Sequence, residues 1–316
     1  MRKTIPYIPL VAVMLLGFLL LVHELDRTAL WADEGWTINA TESRNPIETV
    51  REWVAVDVHP PLFFIGLDLW RVFTDDTIFE LRYYSVLLSM LGIAVAFRLG
   101  KSLYSTRAGV LAALFYALHD LIKVLTQEVR HYPQQLLLST LVLWMYWRFW
   151  KQPTRARGLV FVLSSAALLY THYWGGFVLL GLAIHALITR RDHLRHFIIA
   201  YAGIALLYLP WIPVLISQIT MERPGGLPHA LPNTSTVYAV LTFQLVGIPE
   251  LFWMLLCVAG LVGVFTLNVG GVREMWQAWR PTPATLLPLP VIIVTPLLSI
   301  LINTAYPTLS FRSLAV

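Results

Sequence analysis

The chain has 316 residues, 57% of them apolar or aromatic and 13% charged, with a net charge of +5 and a mean hydropathy of +0.67. A soluble domain carries charge on about a quarter of its residues. This composition therefore excludes a water-soluble enzyme and a disordered chain, and the single cysteine, Cys257, excludes a disulfide scaffold. In so apolar a chain the excess positive charge reports topology first, and no nucleic-acid partner is expected.

The first apolar run covers residues 5–25 and follows Arg2 and Lys3; it is too long for a signal-peptide core and reads as an uncleaved span. A long connection over residues 26–80 follows. Within it, Asn45-Pro46-Ile47-Glu48 supplies an N-cap, a proline at the first helical position and an acid three residues after the cap. Ile47, Val50 and Val54 are expected to share one face of a short amphipathic helix on the membrane surface. A second helix is expected from His59-Pro60-Pro61 through Leu62, Phe63, Phe64, Leu67 and Trp70. Over residues 59–73 it would be about 22 Å long, short of the roughly 30 Å hydrocarbon core, so it belongs in the interface. Further spans are read at residues 81–99, 108–125, 134–150, 197–217, 251–268 and 284–303, with 158–189 divided into two short helices meeting at 170–176. The fold class is all-α: a polytopic transmembrane helical bundle of about nine spans, with amphipathic interfacial helices in the first outer loop.

Charge sets the orientation. With the N-terminus inside, the inner loops hold 14 of the 23 Lys and Arg residues and two acids, Asp192 and Glu274. The outer side then holds 16 of the 18 acids. This places a multi-pass protein in the cell membrane with its motifs on the outer face. The chain is read as one membrane-embedded module over residues 1–316, and its last residues, Ser313-Leu314-Ala315-Val316, resemble the start of another span.

Five constellations lie on the outer side. Trp31-Ala32-Asp33-Glu34-Gly35-Trp36 brings two adjacent carboxylates just past the first span; alone they suit a tryptophan belt with solvated acids as well as proton transfer. His59 before two prolines suits a helix start, or an imidazole that binds metal or phosphate. Gln127-Glu128-Val129-Arg130-His131-Tyr132 puts a guanidinium, the natural phosphate fork, at an outer membrane edge. Its plain reading is a surface pair with Glu128. Thr171-His172-Tyr173 marks the break between two short helices, and Arg312 follows Tyr306-Pro307 on the last outer loop. No phosphate-cradling glycine loop for a soluble nucleotide is present.

The order of these motifs, with Leu209-Pro210-Trp211-Ile212-Pro213, resembles the GT-C superfamily of integral-membrane glycosyltransferases, in the family-39-like branch of protein O-mannosyltransferases and aminoarabinose transferases. The resemblance implies a polyprenyl-phosphate sugar donor and inverting transfer on the outer face to an acceptor hydroxyl of a protein, glycolipid or polysaccharide. It implies Asp33 as the base, with Glu34 as the second acid. His59, Glu128, Arg130, Tyr132, His172 and Arg312 are the candidate residues around the donor phosphate and sugar. Val58 stands where aminoarabinose transferases carry a metal-binding Glu, so a divalent cation is an open co-reactant. The later spans and any C-terminal domain of the family architecture are read as missing. The rival class is a lipid-linked-sugar flippase or transporter, for which ionisable residues would sit in mid-span.

Overall fold

The computed structural model describes residues 7–220, 282–291, 293, 294 and 298, and every regular element among them is helical. Helix α1 (Ile8–Val22) leads into the long connection, which holds α2 (Ala32–Ala40), α3 (Pro46–Glu48) with a π-helical turn at Thr49–Val54, and α4 (Leu62–Arg71). The bundle continues with α5 (Ile78–Leu103), α6 (Thr106–Leu118), α7 (Asp120–Thr126), α8 (Tyr132–Lys151), α9 (Arg155–Leu169), α10 (Gly175–Thr189), α11 (Leu194–Tyr208), α12 (Ile212–Thr220) and α13 (Pro283–Leu286).

Local chemistry sets the starts of these helices. Thr77 and Glu80 form a reciprocal capping box at α5: the Thr77 hydroxyl accepts from the Glu80 amide at 3.2 Å, and the Glu80 carboxylate accepts from the Thr77 amide at 3.1 Å. Ser105 caps α6 through the Ala108 amide at 3.2 Å. Helices α5 and α6 pack closely because small residues meet: a Cβ on Gly109 would lie 2.6 Å from the Phe97 carbonyl oxygen. Val13, Leu21, Val86, Ile93, Phe97 and Ala113 fill the core that α1 shares with this pair. A second core, with Val142, Tyr146, Phe161, Leu182 and Phe197, joins α8 to α11.

Among the described residues two stretches are long and apolar enough to cross a membrane, Ile78–Leu103 and Arg191–Thr220. The expected single span at 108–125 is instead two helices, α6 and α7, bent by 58° where His119 adopts an extended backbone. Helices α1 and α10 are apolar but 15 residues each. The expected span at 251–268 lies outside the described residues, as does part of 284–303. The break expected at 170–176 falls between α9 and α10.

The connection differs from expectation in one respect. Asn45 caps α3 as its sequence suggests, accepting from the Ile47 amide at 3.2 Å, but Ile47 is 64% exposed while Val54 is fully buried. The π-helical turn accounts for this. Its wider turn, closed by the Ala55 amide donating to the Val50 carbonyl at 2.9 Å, rotates Val54 off the face of Ile47 and into the core. There Val54 joins Phe63, Phe64, Leu67, Leu81, Val129 and Trp211 in a third cluster beneath the interfacial helices. The loop after α4 is anchored by Arg71, whose guanidinium donates to both oxygens of Asp76 (2.9 and 2.8 Å) and to the Ile38 carbonyl (2.7 Å). At the other end of the bundle the basic side chains gather: Lys151 donates to the Ser102 carbonyl at 2.8 Å, and Arg190 lies over the Trp150 ring.

Candidate functional site

Four chain breaks meet at one end of the bundle: the start of α2, the turn before α4, the start of α8 and the α9–α10 break. The Leu62 amide donates to the Tyr170 carbonyl at 2.8 Å, and the Gln134 side chain donates to the Thr171 hydroxyl at 2.9 Å, so α4, α8 and the break are tied together.

Beneath them is a buried ion pair. Arg82 of α5 donates from Nε and Nη2 to the two carboxylate oxygens of Glu34, both at 2.9 Å, and each side chain is 1% exposed. Arg82 also donates to the Leu25 and Thr28 carbonyls at 2.9 and 3.1 Å, and Glu34 accepts from the Val129 amide at 2.9 Å. One pair thus holds the exit of α1, the start of α2, α5 and the segment before α8. Glu34, expected as the second catalytic acid, is therefore sealed into structure. A fork-to-fork guanidinium and a backbone amide occupy its oxygens.

Asp33, one residue earlier, turns the other way, and its side chain is 46% exposed. Arg130, 4% exposed, places Nη2 3.5 Å from Asp33 Oδ2 and donates from Nη1 to the Thr37 hydroxyl at 3.1 Å and to the Asp33 carbonyl at 3.3 Å. The same Nη2 stands 3.4 Å from His59 Nε2. His59 Nδ1 donates to Asp57 Oδ2 at 2.5 Å. This leaves the Nε2 lone pair facing Arg130. Burial pushes the Asp57 carboxyl up, but the hydrogen bond from His59, helped by the Val58 amide and the Arg130 charge, outweighs it and holds Asp57 below its usual range.

Three imidazoles cluster here. The His131 ring lies 4.7 Å from His59 and 4.9 Å from His172, with Tyr132 4.3 Å away on its other flank. Burial, reinforced by the Arg130 charge, lowers the pKa of His59; it lowers His131 well below the usual value and brings His172 to about 3. The site thus carries neutral imidazoles around the Arg130 guanidinium. His172 Nδ1 accepts from the Trp174 amide at 3.2 Å.

The structure therefore brings Asp33, His59, Arg130, Tyr132 and His172 together. Glu128 is buried, and its carbonyl accepts from the Ser85 hydroxyl at 2.7 Å. Arg312 lies outside the described residues. Sequence reasoning missed three participants. Asp57 is two residues from His59 and could have been sought as its carboxylate partner. His131 was hidden between two stronger candidates. Arg82 falls at the head of the expected span at 81–99, where an arginine ordinarily reaches to the interface, so its buried partner gives no local signal.

Among the described residues no three His, Cys, Asp or Glu side chains are placed to hold a metal ion. Two of the ring nitrogens are already engaged, His59 Nδ1 by Asp57 and His172 Nδ1 by a backbone amide.

Residues 58–217 match the family model described as dolichyl-phosphate-mannose-protein mannosyltransferase. Among solved structures, the crystal structure of ArnT from Cupriavidus metallidurans in the apo state superposes with a TM-score of 0.58 at 16% identity, covering 96% of this chain and 60% of that one. The likeness is one of fold, and the chain spans about three fifths of that protein's length. No curated protein sequence matches the chain.

Proposed function

The chain belongs to the dolichyl-phosphate-mannose-protein mannosyltransferase family, with an all-α membrane fold of GT-C type, and from that premise we propose that it transfers a sugar from a polyprenyl-phosphate donor to an acceptor hydroxyl. The observation that carries this reading is the pairing of a half-exposed carboxylate, Asp33, with a buried guanidinium, Arg130, 3.5 Å apart at the mouth of the site. A lipid-phosphate sugar is already activated, so the protein must supply two things: a base for the acceptor and a cation for the departing phosphate. As the acceptor oxygen bonds to the anomeric carbon from the face opposite the phosphate, the bond from that carbon to the phosphate oxygen breaks. The hydroxyl proton passes to Asp33, and the negative charge gathering on the lipid phosphate is met by Arg130. Attack opposite the leaving group inverts the anomeric centre.

The acceptor is a hydroxyl of a protein, glycolipid or polysaccharide. The reaction is assigned to the outer face, because the larger share of the basic side chains of the described helices, Lys151 and Arg190 among them, lies at the opposite end. A flippase reading is less well supported, since the charged groups of the described helices lie at their two ends rather than along a path through the spans. Membranes supplied with sugar-labelled polyprenyl-phosphate mannose should release free lipid phosphate, and Asp33→Asn should cut that release by about 10²–10⁴-fold. Near-normal release by the variant would remove Asp33 as the base; movement of intact labelled lipid across the bilayer without release would favour the flippase.

A further inference from the structure

His131 sits at the centre of this site, between His59 and His172, and takes no part in the transfer chemistry above. It is 1% exposed, and neither ring nitrogen has a hydrogen-bond partner. One helical turn further along α8, Gln135 is fully buried, and its amide nitrogen and oxygen also lack partners. Residues i and i+4 share a helix face, so the head of α8 turns two unpartnered polar side chains to one side. Burying a polar group without a partner is unfavourable, and packing alone would be better served there by Phe and Leu. Neighbouring groups do not absorb His131: His59 is engaged by Asp57 and Arg130, and His172 by the Trp174 amide. A neutral imidazole offers one N–H and one lone pair without adding charge, and Arg130, its neighbour in sequence, already supplies the cation that a phosphodiester needs.

We propose that His131, with Gln135 one turn behind it, hydrogen-bonds the phosphate head group of the lipid-linked donor, a binding role that rests on the transferase reading above. The Gln135 amide can donate to a phosphate oxygen as the imidazole N–H does, so both side chains contribute to the same anion.

The test uses the full chain in detergent and undecaprenyl phosphate as the probe, with His131→Phe, His131→Asn and Gln135→Leu compared to the unaltered protein. His131→Phe keeps a ring between His59 and His172 and removes the unpaired nitrogens. The expected result is a thermal midpoint equal to or above that of the unaltered chain, with affinity for undecaprenyl phosphate weakened about tenfold or more, the worth of one charge-assisted hydrogen bond. Gln135→Leu should also weaken binding, and His131→Asn, which keeps a donor, should recover part of the loss. Wild-type affinity in both His131→Phe and Gln135→Leu would overturn this inference and leave the transferase reading standing. No binding by the unaltered chain would overturn both. Should His131→Phe fail to fold, the affinities of His131→Asn and Gln135→Leu decide the matter on the same terms.

Discussion

Replacing Arg82 with Met tests whether the Glu34–Arg82 pair is the pillar of the site. The two side chains are bonded twice at 2.9 Å and sealed from solvent, so removing one partner leaves the other as a buried charge. That typically costs about 3–5 kcal/mol. The two halves of the pair should not cost the same. After Arg82→Met, Glu34 keeps one good donor, the Val129 amide; after Glu34→Gln, Arg82 keeps the carbonyls of Leu25 and Thr28 and the Thr28 hydroxyl. Arg82→Met should therefore be the more damaging change. At about 2–4 °C per kcal/mol, it should lower the thermal midpoint by roughly 6–20 °C. Glu34→Gln should fall at or below the lower end of that range. Unfolding followed by the intrinsic fluorescence of the 12 tryptophans in detergent measures both. The double variant Glu34→Met with Arg82→Met should lose less than the sum of the singles, because it strands no charge. The reasoning is refuted if Arg82→Met melts with the unaltered chain. If Glu34→Gln abolishes transfer while keeping full stability, Glu34 is a catalytic acid after all.

Three further predictions concern pH and packing. His59, His131 and His172 are kept neutral by burial, so below about pH 6.5 the unfolded chain takes up protons that the folded chain refuses; stability should fall on acidification by up to ~1.4 kcal/mol per pH unit for each. A thermal midpoint that stays flat from neutral pH to about pH 5 would contradict this, and His131→Phe should make the slope shallower by one proton. Asp68, fully buried in α4, works in the opposite direction: burial pushes its carboxyl up to about 6, so the folded chain holds a proton that the unfolded chain has released, and stability falls as the pH rises through that window. Asp68→Asn should raise the melting temperature above neutral pH and leave it unchanged once the pH is below the ordinary carboxylate range. Gly109→Ala would set a methyl 2.6 Å from the Phe97 carbonyl oxygen, so α5 and α6 must separate, and a loss of about 1–3 kcal/mol is expected; an unchanged melting temperature would mean that the two helices slide without cost.

Much of this arrangement was legible because it depends on local chemistry. Prolines at 60 and 61 and the apolar run behind them specify α4, and the paired glycines at 175 and 176 mark the restart after the α9 break, whatever the rest of the chain does. What escaped depends on distant partners. Ile47 and Val54 have the spacing of one α-helical face, and only the packing of Val54 on Phe63 and Phe64 shows that a π-helical turn has taken them apart. The kink at His119 is likewise silent in a hydropathy profile, since both halves are apolar.

Asp33 and Glu34 show most clearly why such distant information matters. Neighbours on a helix point about 100° apart, so two adjacent carboxylates at the start of α2 cannot both face one ligand. Which of them turns inward is decided by a guanidinium 48 positions away. Once Arg82 takes Glu34, Asp33 must project towards the cleft, and Arg130 meets it there. The acidic pair is thus one structural charge, neutralised in the interior, and one half-exposed charge at the cleft. Exchanging the two residues should therefore do more than swap roles. A Glu at position 33 would still face the cleft one methylene further out, whereas an Asp at position 34 would fall short of Arg82 and leave two buried charges apart. The site should lose its stability before it loses the carboxylate proposed as its base.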